Sequence, residues 1–409
     1  MIAMKRAPAD ALLVTQHYRP EPIGSAPYCA DLAEWMAKQG SRVTVLTGRP
    51  QYPHPDMFPG FGPRWLGRET IAGVDVLRLG TWVPRLRSTL ARIVCEALFL
   101  LGGLAALSFR RLERRELVIS VCPSILSVAL GLFLKRPEGR HVAIVHDIQS
   151  GLAGGLGMVG GRIVRLIRWC ERLVLNRVDM VSVLTAEMAA RLRELGVTAP
   201  IEIVPIWVDT DVIHPVAVAT GGRQTVLYSG NFGQKQGLDQ IISMAAELQA
   251  KRPDLEIVLR GGGSRRQELA SEIERRGLKN VRIAELLPPE SLCQGLAMGD
   301  VHLVPQDPLA ADSAIPSKIF NIMAVARTFV ATANPGSSLW RLKDSSGAFV
   351  CVPPNQPGAL AEAVLRLADD DRLRAELGAK GRRFVEQHFA KESVLAGFRT
   401  LVHDLLAAR

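Results

Sequence analysis

Short apolar, β-branched runs recur along the chain, and most are followed by a longer stretch in which apolar positions return every three or four residues. The first series reads "ALLVTQ", "RVTVLTG", "VDVLRLG", "LVISVCP", "HVAIVHD", "DMVSVLT" and "IEIVPIWVD". After residue 224 a second series reads "TVLYSG", "LEIVLRGG", "VRIAELL", "VHLVPQ", "TFVATAN" and "AFVCVPP". Apolar strands alternating with helices predict parallel, doubly wound sheets, so the expected fold is α/β with two Rossmann-like halves. Between the series, "DTDVIHPVAVATGGRQ" loses periodicity and carries Pro215, Gly221 and Gly222. This predicts an N-terminal domain over 1–208, a linker over 209–222 and a C-terminal domain over 223–390. Three helical patterns in a row close the chain, and the last, over 391–409, is expected to pack back on the first domain. In sheets of this kind ligands meet the carboxyl ends of the strands, so substrates are expected in a cleft between facing halves.

Composition narrows the class. A chain of 409 residues exceeds what one core serves, and 48% hydrophobic with 22% charged residues is the balance of a folded protein. The six cysteines are scattered singly, with no C-x-x-C pair and no histidine at ligand spacing, which argues against a zinc site or a disulfide framework and for a reducing, cytoplasmic setting. Residues 1–9 read as a tail, because "ALLV" is too short for a signal peptide and Asp10 interrupts what precedes it. A net charge of +10 calls for an anionic partner. Nucleic acid ranks last, since no aromatics interleave with basic strands.

Several loops have the composition of anion sites. In "VLYSGNFGQKQGLDQII" a strand, a turn with Gly230, Asn231, Gly233 and Lys235, and a helix start follow one another; converging amides and a helix N-terminus suit a phosphate. It is not a Walker loop, because Lys235 precedes the last glycine and no Ser or Thr follows. "LRGGGSRRQEL" repeats the theme with Arg265 in the first helical turn, against the helix dipole, where it faces either an anion or solvent. "AIPSKIFNIMA" puts Ser317 and Lys318 at a helix start and Asn321 on the same face; Lys318 is locally unfavourable there unless it meets a phosphate. Gly24 and Ser25, ahead of an amphipathic helix, either simply turn the chain or admit a phosphate to the backbone. His146 and Asp147 stand at a strand's carboxyl end, as a capped structural pair or as site residues. In "VPRLRSTLARIVCEALFLLGGLAALSFRRLERRE", residues 93–109 fall short of a bilayer span and are weakened further by Glu96 and the Gly102–Gly103 pair. The stretch reads either as a buried helix or as an interfacial one whose Arg85, Arg87, Arg92, Arg110, Arg111, Arg114 and Arg115 turn to an anionic membrane surface.

Taken in order, "YRPEPIGSAPYCADLAEWMAKQG", "LYSGNFGQKQGLDQII", "LRGGGSRRQEL", "LPPESLCQGLAMGDVHLVP" and "PSKIFNIMA" resemble glycosyltransferase family 4, retaining enzymes of the GT-B fold, and among them the colanic-acid and exopolysaccharide type of bacteria. The resemblance implies a nucleotide-diphosphate sugar donor, GDP- or UDP-linked, held by the C-terminal domain. It also implies a polyprenyl-diphosphate-linked glycan acceptor on the N-terminal side, at the inner face of the cytoplasmic membrane. Where the family has an arginine in the diphosphate loop this chain has Asn231, and Lys235 comes one place early; where the family has two glutamates it has Ser313 and Asn321. On the same grounds Lys235 and Lys318 are the expected catalytic cations. Leu286 and Leu287 are expected beside the base, Asn321 at the ribose, and Asp147 with His146 at the acceptor or donor sugar.

Fixed positive groups at the departing phosphate would supply most of the catalysis, and no D-x-D pair calls for a metal, so no cofactor or metal is expected. A nucleotide-sugar epimerase of the same fold and a non-catalytic partner, the latter prompted by Ser313 and Asn321, are the competing readings.

Overall fold

The computed structural model describes residues 10–22, 24–51, 55–62, 64–83, 89–122, 124–148, 161–217, 223–233, 236–307 and 315–408. They form two compact units, one of residues 1–205 with 395–409 and one of residues 206–394. The division falls ahead of the expected linker, because the start of that stretch is fastened to the second unit: Lys391 pairs with Asp209, and Arg382 donates to the carbonyls of Thr210 and Ile213.

The first unit runs β1 (Asp10–Val14), α1 (Ala26–Lys38), β2 (Arg42–Thr47), β3 (Leu66–Ile71), β4 (Val74–Leu79), α2 (Thr89–Ser108), β5 (Arg115–Cys122), α3 (Ile125–Leu134), β6 (Lys135–Val145), α4 (Gly161–Leu175), β7 (Met180–Val183), α5 (Ala186–Glu194) and β8 (Ile201–Ile203). The sheet order is β3-β4-β2-β1-β5-β6-β7-β8, parallel except for β3, which hairpins onto β4. The apolar runs anticipate every strand but β3, an edge strand whose "LGRETI" carries Arg68, Glu69 and Thr70 in succession and so lacks an apolar run. From β1 the chain steps one way to β2, while β4 to β5, β5 to β6 and β6 to β7 step the other way. Right-handed crossovers therefore put α1 on one face and the layer α2, α3, α4 on the other. Within that layer α3 lies in the middle: Leu130 and Leu134 pack with Phe99 and Ala106 of α2, and Ile125 and Val128 pack with Leu175 of α4.

The second unit runs β9 (Thr225–Ser229), α6 (Leu238–Lys251), β10 (Glu256–Arg260), α7 (Arg266–Arg275), β11 (Val281–Ala284), α8 (Leu292–Ala297), β12 (Val301–Val304), α9 (Lys318–Ala324), β13 (Phe329–Thr332), α10 (Ser338–Ser346), β14 (Val350–Val352), α11 (Pro357–Ala368) and α12 (Asp371–His388). Its sheet is parallel throughout, in the order β11-β10-β9-β12-β13-β14. The last helix, α13 (Lys391–Ala407), lies from Leu395 onward with the first unit, where Arg399 donates to Gln39 at 2.8 Å and Arg140 donates to the Leu405 carbonyl at 3.0 Å.

Candidate functional site

In the second unit the loops after β9 and β10 and the start of α9 meet at the carboxyl end of the sheet. Gly230 (φ +152°) donates its N–H to the Arg260 carbonyl at 3.0 Å, and a Cβ on Gly261 would lie 1.9 Å from the Gly230 oxygen, so only glycine permits these two loops to touch. Phe232 N–H donates to the Gly262 carbonyl at 2.7 Å, and the Tyr228 hydroxyl donates to the Asn231 carbonyl at 2.7 Å. The Gly230 amide, expected to face a phosphate, is thus engaged within the fold. The amides of Asn231 and Gly233 have no partner among the described residues.

Lys318 arrives from the first residue of α9. Its Nζ sits 3.9 Å from the centre of the Tyr228 ring, beside Gly230, where a Cβ would be 2.9 Å away. That Nζ is buried and has no hydrogen-bond acceptor among the described residues, and loss of water pushes the ammonium down to about 7. Ser317 and Asn321 share this helix, with Ser317 exposed and Asn321 half-buried. Leu286 and Leu287 are exposed on the loop after β11, and Leu287 reaches toward Gly295, whose carbonyl accepts from buried Arg260 at 2.6 Å. Lys235 and Ser313 lie outside the described residues.

Arg265 corrects the sequence reading. Its guanidinium is buried and forked onto the Asp239 carboxylate at 2.7 and 2.9 Å and onto Glu268 at 2.6 and 3.1 Å, so its charge is already balanced. Those two carboxylates, Glu268 first, hold it firmly protonated. It braces α7 against α6, and an incoming anion would compete with these two carboxylates for it.

In the first unit Gly24 (φ +73°) leads into α1, and Ser25 occupies the N-cap without a capping hydrogen bond from its side chain. His146, after β6, presents its ring edge-on to Tyr28 in the first turn of α1, centroids 5.9 Å apart, and burial lowers its pKa to about 4. The packing therefore brings His146 to the Gly24–Ser25 loop. Asp147 follows His146, and its charge acts on the Cys122 thiol. Sequence reasoning missed the brace under this loop: His17 Nδ1 lies 2.8 Å from buried Glu21, whose other oxygen accepts from Gln51 N–H at 2.7 Å. It also missed Tyr228, which only a strand-end position next to the glycine turn could have flagged.

Residues 24–207 match the family described as glycosyl transferase 4-like domain, and residues 209–384 that described as glycosyl transferases group 1. Over 93% of its length, and 97% of the relative's, the chain is 30% identical to the putative colanic acid biosynthesis glycosyl transferase WcaI of Escherichia coli K12. Among solved structures it is similar to sucrose-phosphate synthase from Thermosynechococcus elongatus, with a TM-score of 0.78 at 19% identity over 98% of this chain and 100% of that one. It is also similar to Anabaena HepE in complex with UDP, with a TM-score of 0.70 at 13% identity over 97% and 100% of the two chains.

Proposed function

The chain belongs to the glycosyl transferases group 1 family and is a glycosyltransferase of the GT-B fold; on that premise we propose that it moves a sugar, with retention, from a GDP- or UDP-linked donor to a polyprenyl-diphosphate-linked glycan during assembly of a bacterial surface polysaccharide. The observation that carries the donor half is Lys318, a buried ammonium with no acceptor among the described residues, held beside Gly230 of the glycine turn. Departure of a nucleoside diphosphate builds negative charge on the leaving phosphate, and a preorganised cation stabilises that charge without reorganising. Lys235, in the same loop, is assigned to the same diphosphate. Asn321, Leu286 and Leu287 are assigned to the ribose and base, and the Gly24–Ser25 loop with His146 and Asp147 to the reacting sugars. The reaction on this reading needs no metal. The polysaccharide setting draws on the relative named for colanic acid biosynthesis.

The test is a thermal-shift panel of nucleoside diphosphates with a turnover assay on the matching sugar donors. One of GDP or UDP should raise the Tm by several degrees when present at roughly a hundred times its Kd. Turnover should release that diphosphate only when lipid-linked acceptor is added. No shift with either nucleotide would remove the donor assignment.

A further inference from the structure

The layer of α2, α3 and α4 has a one-sided chemistry. These helices hold only two acids, Glu96 and Glu171, and both are buried; the described arginines Arg92, Arg165, Arg168 and Arg172 are all exposed. Large apolar side chains stand among those arginines in solvent, with Leu101 60%, Leu166 57% and Trp169 51% exposed, joined by Leu98, Phe133 and Leu173. Leu166, Trp169 and Leu173 recur at i, i+3 and i+7, so they form one stripe along α4, with Arg165, Arg168 and Arg172 forming the stripe beside it. Soluble proteins rarely leave such a surface uncovered.

We propose that this layer docks the protein on an anionic lipid bilayer, with Trp169 and the leucines entering the headgroup boundary and the arginines meeting lipid phosphates. The inference deepens the proposed use of a lipid-linked acceptor and rests on that reading. Docking here is interfacial. The longest helix, α2, is apolar enough to cross a membrane, but Glu96 is tied to Arg92 at 3.0 Å and to Ser124 at 3.1 Å, and Phe99 and Ala106 are buried against α3, so the domain holds α2. A second copy of the chain is disfavoured as occupant, because two-fold pairing of this face sets arginine against arginine. The outcome also revises which arginines face the membrane. Arg115 is buried against Asp10 and Glu113, and the new members come from α4.

Co-sedimentation of the full chain with phosphatidylcholine vesicles, with and without about a third phosphatidylglycerol, tests the proposal. The wild type should bind the anionic vesicles and lose them in high salt. The double variant Arg165→Glu/Arg168→Glu should bind at least ~20-fold more weakly and Trp169→Glu about 10-fold more weakly. Both variants change exposed side chains, and an unaltered Tm with an unaltered nucleoside-diphosphate shift shows that each is folded. Wild-type binding to neither vesicle, or variants that bind as the wild type does, overturns the proposal. A concentration-dependent dimer abolished by Trp169→Glu also overturns it and gives the face to a second copy. Because the nucleotide shift is read separately, vesicle binding without it would sink the donor reading alone, and the converse would sink docking alone.

Discussion

An ammonium stripped of water and laid against the Tyr228 ring is unfavourable to keep unless an anion visits it, and removing it should separate stability from function. Lys318→Met is expected to leave the Tm of the nucleotide-free protein unchanged or higher. The same variant should weaken nucleoside-diphosphate binding by roughly 10- to 100-fold, as loss of a charge-assisted hydrogen bond does. The pH dependence follows from the same burial. Because Lys318 falls to about 7 in the free protein, its charge is lost as pH rises through that value, so affinity should decline between about pH 7 and pH 9 in the wild type and stay flat in Lys318→Met. Titration calorimetry reads both, and a wild type whose affinity ignores pH would contradict the assignment. Arg265 shows the limit of reading such residues from position alone. It and Lys318 both stand at helix starts, but two carboxylates, one of them on a different helix, already neutralise the arginine.

At the scale of elements, the Gly102–Gly103 pair changes meaning once α2 has neighbours. In the sequence it weakens an apolar helix; in the fold it lets α2 come close to α3 and β4, since a Cβ on Gly103 would sit 2.4 Å from Leu130 and one on Gly102 3.4 Å from Leu79. Gly103→Ala should therefore destabilise the first unit by about 1–3 kcal/mol through overpacking, despite alanine's better helix propensity. Urea unfolding checks this, and an alanine variant more stable than the wild type would refute the close packing. Glu96 similarly interrupts the apolar run on paper and fastens α2 in place: Ser124, which also caps α3 by accepting from Ser127 N–H, donates to its carboxylate. The three closing helices were legible because each carries a long 3.6-residue period, whereas β3 was not, being a half-exposed edge strand.

At the scale of the whole molecule, His141 and His302 are buried and His146 is half-buried, and all three are held neutral. Burial lowers His141 and His302 to about 3 and His146 to about 4; His141 meets Ser120 Oγ at 2.7 Å and His302 the Leu296 carbonyl at 2.9 Å. Their folded pKa values lie below the unfolded value, so below about pH 6.5 the unfolded chain takes up protons that the folded one resists, and stability falls on acidification toward pH 4. Each contributes up to about 1.4 kcal/mol per pH unit across that window. Urea midpoints at about pH 5 and about pH 7.5 measure the drop, and equal midpoints would show that the histidines titrate freely. Two doubly wound α/β units, nearly every strand, and the glycine loops after β9 and β10 are written locally in the chain, because apolar runs, glycine turns and helix starts are local signals. Tertiary packing settles which cations are already partnered, that the Asn231 and Gly233 amides lack partners among the described residues, and that both acids of the α2–α4 layer point inward while its arginines and Trp169 point out. Those outcomes depend on side chains far apart in the chain being brought within a few ångströms of one another, which neither periodicity nor spacing encodes.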